Sequence, residues 1–245
     1  MKGLGSKLYT IFLVALFVIS VQINVCAEEG WKRQLSLGYN QSNGNTDKSE
    51  LNISGEIKNI MTEAEFLGKL DLYYSSSNKK MDSQKWIGLT RYFYDFGEAK
   101  QLFNSYQVQV DHDRFADIDY RILPSTGIGY WISKEADWKA MVEASMGYEI
   151  TNYKSTKSDD EDVVLIGHAY MEKKILDNAR ISEDISIIPS LEGNGIRMRS
   201  ETVFTNPLSE VLDLSIKFVV EHDTKPSADI KKTDTFLITG LKYSF

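Results

Sequence analysis

Several kinds of residue are scarce in this sequence, and each scarcity excludes a class of protein. The 245 residues include one cysteine, Cys26, and four prolines. A single thiol forms no disulfide within the chain and no multi-cysteine metal site. Four prolines are too few for a proline-rich linker. Beyond Val21, no apolar run approaches the roughly 20 residues that a transmembrane helix needs.

Positive charge is also in short supply. Lysine and arginine total 28 against 35 aspartates and glutamates, so the formal net charge is −7. An acidic chain without a basic stripe does not suit the phosphate backbone, and we expect no nucleic-acid partner. The sequence also contains no glycine-rich phosphate loop, zinc-ligand spacing or calcium-binding loop. We therefore predict no cofactor and no metal site.

The first residues predict a secretory signal peptide. A short basic segment precedes a nearly unbroken apolar run over 8–21, and Val25–Ala27 presents small residues to a signal peptidase. An N-terminal membrane anchor is the alternative, but the run is short for a bilayer span. Cleavage after this segment divides the chain into a leader over 1–27 and a mature, cysteine-free domain over 28–245.

What the sequence has in abundance is period-two alternation. In the closing stretch Thr235–Phe245, Leu241 and Tyr243 share an apolar parity, while Lys242 lies on the other. Alternation of this length is typical of a strand with one apolar and one polar face. About twelve such segments follow one another, each close to the 9–11 residues of a tilted membrane strand. We predict an all-β fold, an antiparallel transmembrane β-barrel of about twelve strands.

Alternation does not say which face lies inside. A lipocalin-like soluble barrel would bury the apolar parity and expose the charged one. The even strand count, the terminal aromatic Phe245, and tyrosines and tryptophans near strand ends favour a membrane barrel instead. We therefore expect the bacterial outer membrane as location, contact with its lipid, and insertion by the barrel assembly machinery.

The connections between strands are predicted to alternate between longer and shorter. One long polar loop is expected over Ser75–Ser83, and Gly193–Gly195 is a hairpin signal. In outer-membrane barrels the short turns face the periplasm and the long loops face outward. The predicted alternation agrees with that pattern.

The polar parity carries charges of both signs, which a membrane barrel would direct into its lumen. The candidate functional residues share this parity: Asp111, Arg121, Arg197, Arg199, Glu201 and Glu221. The arginines would form either a basic stripe for anionic solutes or part of an ion-pair network that closes the bore. Twelve strands lie between barrels that side chains fill and barrels with open water channels, so passage of small ions or solutes stays open.

Two histidines occur in similar acidic contexts, Asp111-His112-Asp113 and Glu221-His222-Asp223. One interpretation is an Asp–His catalytic pair or a divalent-cation site at the barrel rim. The other is a solvated acidic rim, because alternation turns both histidines outward, away from the neighbouring carboxylates. His168 lies mid-strand with no serine spaced to serve it in that strand, which disfavours a lipase.

The opening stretch Leu35–Asp47, L-S-L-G-Y-N-Q-S-N-G-N-T-D, and the closing Tyr243–Phe245 resemble a known family. It is the Gram-negative family of salt-induced outer-membrane proteins, in which a Gly-Asn-Thr motif follows the first strand, here Gly44–Thr46. The resemblance runs through the mature chain and implies an outer-membrane barrel with a domain of unknown function. It implies no reaction and supplies no catalytic residue. From the residues themselves, Gly44 and Asn45 are expected to shape a tight loop.

These patterns together predict a non-enzymatic outer-membrane barrel. The leading function is a small-solute channel or an envelope component linked to salt or osmotic stress. The alternative is an outer-membrane hydrolase built at the rim around His112 and His222.

Overall fold

A computed structural model describes residues 30–42, 48–155, 159–176, 178–226 and 231–245. The predicted leader and the Gly44–Thr46 motif lie outside these residues. Contacts divide the chain into Met1–Trp31, of which only Gly30 and Trp31 are described, and the barrel unit Lys32–Phe245. Among the described residues, no helix is long and apolar enough to cross a membrane.

The described residues form twelve strands in one closed antiparallel sheet. In chain order they are β1 (Trp31–Ser42), β2 (Lys48–Ile60), β3 (Ala64–Ser77), β4 (Lys80–Phe96), β5 (Leu102–Asp113), β6 (Ile118–Lys134), β7 (Trp138–Tyr153), β8 (Asp160–Ile175), β9 (Ala179–Pro189), β10 (Ile196–Pro207), β11 (Leu212–Asp223) and β12 (Thr233–Ser244). Each strand pairs with its sequence neighbours, and β12 closes onto β1 with Leu241 opposite Leu37. Closure removes the free edges of the sheet. The predicted barrel is confirmed.

The polarity of the wall is opposite to that of a soluble barrel, with apolar side chains outside and charged side chains inside. On the outer face large apolar side chains are exposed, Leu237 to 58% and Leu37 to 55%. On the inner face charged side chains are buried: Asp111 is 4% exposed and Arg91 is 7% exposed. Lipid hydrocarbon favours such an exterior, and a closed sheet pairs its backbone polar groups within the wall. The chain is therefore an outer-membrane β-barrel, which excludes the soluble alternative.

Strands β3 and β4 run further than the sequence analysis predicted. The expected loop over Ser75–Ser83 is wrong, because a two-residue turn, Asn78-Lys79, joins the strands with φ values of 49° and 64°. Positive φ at both central residues is what a type I′ hairpin turn requires. The carboxylate of Asp82 accepts hydrogen bonds from Ser75 and Ser77. The serines that suggested a loop therefore hold a hairpin together.

The connections lie at two ends of the barrel. The connections β2–β3, β4–β5, β6–β7, β8–β9 and β10–β11 lie at the same end as Phe245, which we call the turn end. The other connections lie at the loop end.

Aromatic side chains fill part of the bore near the turn end. Phe93, Phe103 and Met141 form a buried cluster, against which Trp131 and Tyr170 pack. The rings of Phe93 and Phe103 meet edge to face, with centroids 5.3 Å apart, an arrangement that aromatic pairs prefer. We call these five residues the aromatic cluster. They come from β4 to β8 and leave the other strands uncovered.

A second apolar group explains why β8 lacked a clear lipid face in the sequence. Leu123, Val164 and Ile166 form a buried cluster on the inner face. Val163 and Leu165 lie on the outer face, where Leu165 is 40% exposed. Both parities of β8 are apolar because one contacts lipid and the other fills the bore.

Candidate functional site

The six lumen candidates project from the inner face of the wall, towards the loop end. The structure brings each of them to an opposite charge: Asp111 to Arg121, Arg197 to Glu149, and Arg199 to Glu201 and Glu221. This arrangement favours ion pairing in the lumen over a basic stripe. The ion pairs narrow the bore, while the side chains of Lys69 and Glu56 stay about a third exposed.

Arg121 and Arg197 share one carboxylate, that of Glu149. Arg121 Nε lies 3.7 Å from Glu149 Oε1, and Arg121 Nη1 lies 3.7 Å from Asp111 Oδ2. Arg197 Nη2 donates a hydrogen bond to Glu149 Oε2. Because β10 and β7 are three strands apart around the barrel, the Arg197–Glu149 pair crosses part of the bore.

Arg199 reaches three partners at once. Its Nη1 donates to Glu221 on the neighbouring β11, and its Nη2 lies 2.7 Å from Glu201 Oε2. The same Nη2 lies 3.3 Å from the hydroxyl of Tyr73. Tyr73 belongs to β3, five strands from β10 in the ring of twelve, so this contact spans nearly the full bore.

Two lysines join opposite walls directly. Lys85 on β4 donates to Glu221 Oε2 on β11 over 2.5 Å. Lys217 on β11 lies 3.4 Å from Asp71 Oδ1 on β3 and 3.6 Å from Glu201 Oε1. Such contacts form only when the side chains occupy the centre of the bore. Lys85 does not stand out in the sequence, because both parities of β4 carry apolar residues.

A buried polar cluster around Glu143 lies nearer the turn end, and the sequence pattern does not predict it. Arg91 Nη2 donates to Glu143 Oε2, and Ser105 Oγ donates to Glu143 Oε1 over 2.6 Å. His168 Nδ1 lies 3.1 Å from Arg91 Nη1, and its Nε2 lies 3.0 Å from Asp184 Oδ1. We call these five residues the Glu143 cluster. The sequence does place Glu143 on the polar face of β7. Both faces of β8 carry apolar residues, however, so the sequence does not show that His168 points inward.

The Glu143 cluster contains an Asp–His pair but does not complete a hydrolytic triad. Ser105 donates to Glu143, and Ser145 also donates to Glu143, over 2.5 Å. A triad needs a hydroxyl in hydrogen-bond contact with the histidine that activates it. Within the described lumen, neither serine makes that contact with His168. The geometry suits a rigid charge network better than nucleophilic catalysis.

The rim histidines lie on opposite walls, six strands apart around the barrel. His112 stacks on Trp86, with ring centroids 5.9 Å apart, and its Nδ1 donates to the Asp119 carbonyl over 2.6 Å. His222 Nδ1 lies 2.8 Å from Thr233 Oγ1. Each histidine is engaged by its own neighbours, so the two cannot build one site. In the part of the chain that the structure describes, no group of three His, Cys, Asp or Glu side chains could hold a metal ion.

Solved structures with a similar form include barrels from several outer-membrane proteins. The NanC porin gives a TM-score of 0.48 at 10% identity, over 86% of this chain and 97% of that one. The translocator domain of the autotransporter NalP from Neisseria meningitidis gives 0.47 at 10% identity, over 98% and 97%. The KdgM porin gives 0.44 at 11% identity, over 87% and 99%.

Curated proteins offer no match to the chain. A family model described as a protein of unknown function, DUF481, matches residues 35–245. The match covers the barrel from the middle of β1 to the last residue, and its description contains no activity. The chain therefore belongs to the DUF481 family of proteins of unknown function.

Proposed function

We propose that this protein is a narrow, non-enzymatic outer-membrane channel for small ions, whose width is set by ion pairs between opposite walls. The observation that carries the proposal is the Lys85–Glu221 contact, which joins β4 to β11 across the bore over 2.5 Å. A lumen lined with charges of both signs gives ions a polar path through hydrocarbon. Side chains that meet in the centre exclude larger solutes.

Water reaches the charged lining along part of the wall. The side chains of Lys69 on β3 and Glu56 on β2 are 34% and 31% exposed, and their charged atoms lie 4.0 Å apart. By contrast, Arg91 and Glu143, on the side of the aromatic cluster, are 7% and 4% exposed. The wetter wall is where small ions would pass.

The same lining offers a physical link to salt or osmotic stress. Mobile ions weaken the attraction between solvated charges, over a screening length of about 10 Å at 0.1 M salt and about 3 Å at 1 M. The most solvated cross-strand contact in this lining, Lys69–Glu56 at 4.0 Å, would open before the drier pairs. Conductance is therefore expected to rise with salt more steeply than the conductivity of the bulk solution.

The rim hydrolase is the less favoured function, because His112 and His222 lie on opposite walls. Export by the leader and insertion by the barrel assembly machinery are part of the proposal. Leu37 opposite Leu241 in the β1–β12 seam is the pairing that such insertion would complete.

Planar-bilayer conductance tests the proposal, with protein purified from membranes of cells that produce the full chain. We expect small, discrete steps from the wild type and larger steps from Lys85→Met, which removes a contact across the bore. Lys58→Met is the matched control: Lys58 Nζ lies 2.6 Å from Glu65 Oε1 on the adjacent strand, so its loss leaves the cross-bore contacts intact.

A gel that separates folded from heat-unfolded barrel must accompany each recording. Folded wild type and folded Lys85→Met that both fail to conduct at any salt concentration would overturn the channel. Equal steps from Lys85→Met and Lys58→Met would show that the cross-bore pair does not set the width.

A further inference from the structure

A proline interrupts one ladder of the closed sheet. Pro124 lies within β6, and towards β5 the pairing runs through it without a break, with Val108 directly opposite. Towards β7 the pairing stops after Ile122 and resumes at Ser125, with no shift in register. Proline has no N–H and removes a ladder hydrogen bond on the side that its nitrogen faces. The nitrogen of Pro124 therefore faces β7.

This gap leaves one backbone carbonyl without its donor. The register on either side of the gap places Tyr148 of β7 opposite Pro124. Where another residue would donate its N–H to the Tyr148 carbonyl oxygen, Pro124 has none to donate. The ladder formed by the described strands therefore leaves this oxygen without a donor. Within a membrane an unpaired backbone group is costly, because hydrocarbon offers it no partner.

The lumen does not supply the missing donor. Leu123 is fully buried and packs with Val164 on the inner side of the gap. A Cβ atom built on Gly147 would lie 2.7 Å from Leu123 Cδ1, so the leucine side chain rests directly on the backbone there. A buried water needs two to four polar partners, and the missing N–H leaves only one acceptor unpaired. The donor has to come from the outer face.

On the outer face the gap forms part of the floor of a groove of about 720 Å³. This volume lies within the roughly 300–1,000 Å³ of ligand sites. The floor is low because β6 presents the small side chains of Pro124 and Thr126, while larger exposed side chains stand on both neighbouring strands. Tyr106 on β5 and Met146 on β7 lie opposite Thr126 from either side, and Tyr148 lies beside Met146 on the same face.

The groove selects an apolar occupant that brings its own donor. Its lining is mostly apolar and includes Phe66 and Val163, and it opens towards the lipid that surrounds the barrel. Two hydroxyls of the lining are already used, since Thr126 donates to the Ser105 carbonyl over 3.0 Å and Tyr148 donates to Glu161. A plain hydrocarbon chain would fill the groove but leave the backbone carbonyl unpaired. A chain that carries a hydroxyl group satisfies both.

We propose that this groove binds an acyl chain of an outer-membrane lipid, and that a hydroxyl group on the chain donates a hydrogen bond to the carbonyl oxygen of Tyr148. A second copy of the barrel is a poorer occupant, because a closed sheet keeps its backbone N–H groups paired within its own wall. The site lies outside the lumen, so it is separate from the proposed channel.

Native mass spectrometry tests the site, with barrel purified from membranes of cells that produce the full chain and kept in a detergent that has no hydroxyl groups. The probes are methyl β-hydroxymyristate and methyl myristate, which differ by one hydroxyl group. We expect both esters to bind to the wild type. The hydroxylated ester should bind roughly 2- to 10-fold more tightly, which is the effect of one hydrogen bond.

Pro124→Val separates the hydrogen bond from the groove. Valine supplies the missing N–H, so the ladder to β7 closes and the Tyr148 carbonyl is paired within the wall. The two esters should then bind equally. Thr126→Trp fills the groove and should abolish binding of both. Val142→Leu is the matched control, because Val142 is exposed on β7 outside the groove, and it should behave as the wild type does.

Other outcomes count against the site. Equal binding of the two esters by folded wild type would overturn the hydrogen bond, and so would a preference that survives Pro124→Val. Binding of neither ester, or a dimer of the barrel in place of a lipid complex, would overturn the groove as a lipid site. The gel that separates folded from heat-unfolded barrel accompanies each variant. If Thr126→Trp fails to fold, Val108→Phe replaces it, with the same loss expected.

Discussion

Lys85 and Glu221 project from opposite walls of the barrel, and Lys85 Nζ lies 2.5 Å from Glu221 Oε2 between them. The side chains are only 14% and 21% exposed, so both charges have lost most of their water. A buried charge whose partner is removed keeps the cost of desolvation and loses the attraction that offset it. The contact therefore couples the stability of β4 to that of β11.

This coupling predicts non-additive stability changes. Lys85→Met and Glu221→Gln should each lower the free energy of unfolding by on the order of 3 kcal/mol, because each leaves the other group with a broken contact. The double variant should lose less free energy of unfolding than the two single variants lose together, by roughly 1 kcal/mol or more. Urea unfolding in detergent, followed by tryptophan fluorescence, measures all three variants. Strictly additive losses would mean that the two side chains do not interact in solution.

Loss of Arg91 from the Glu143 cluster should destabilise the barrel more than loss of the lysine from an exposed ion pair. Arg91→Met leaves the Glu143 carboxylate buried with only hydroxyl and imidazole partners, and should lower the free energy of unfolding by about 3–5 kcal/mol. Lys100→Met is the control, because Lys100 and Glu63 are each 46% exposed. Exposed pairs contribute little, so we expect no measurable change there. The same urea titration compares them, and equal losses would contradict the assignment.

Gly129 leaves space for the aromatic cluster. A Cβ atom at this position would lie 2.1 Å from Cζ of Phe103, which is fully buried. Gly129→Ala should therefore destabilise the barrel by about 1–3 kcal/mol through overpacking. Gly167→Ala is the control, because a Cβ there meets nothing within 4 Å, and it should change stability by less than about 0.5 kcal/mol. Thermal unfolding compares the two variants, and equal stability would show that Phe103 is free to move away from residue 129.

A pH effect is expected at the turn end. Lys100 Nζ donates to Glu63 Oε1 over 2.7 Å, and this hydrogen bond, with the lysine charge, lowers the pKa of Glu63 below its ordinary value. A lowered pKa stabilises the folded state above the ordinary glutamate pKa, and that contribution, small here because both groups are exposed, is lost as the pH falls through the lowered value. Lys100→Met should therefore raise the pKa of Glu63 towards that of a free glutamate. Carboxyl NMR titration measures it, and an unchanged pKa would show that the contact is absent in solution.

The strands could be predicted because period-two alternation is a local property of the chain. Each lipid-facing residue has an inward neighbour, and this relation needs no knowledge of the partner strand. The prediction failed where local signals conflict with pairing, as at Ser75 and Ser77, whose hydroxyls bond to Asp82 across the hairpin. Serines in a row suggest a loop unless the residue that accepts their hydrogen bonds is known.

The lumen partners could not be predicted for a different reason. The contact between Lys85 and Glu221 depends on which strands oppose each other after closure and on the register of every ladder between them. Alternation identified Arg199 and Glu201 as inward-facing residues but carried no information about Tyr73 on the far wall. The sequence therefore predicts which charged residues face the lumen. Which of them pair with each other follows only from the closed barrel.

The aromatic cluster has a further consequence for the route through the barrel. Because Phe93, Phe103 and Trp131 fill the side of the bore formed by β4 to β8, the cross-section near the turn end is lopsided. Any ion that crosses would travel off the central axis, on the side of the bore where Lys69 and Glu56 line the wall. In the proposed channel the path is then eccentric, and the strands that the aromatic cluster leaves uncovered line it near the turn end.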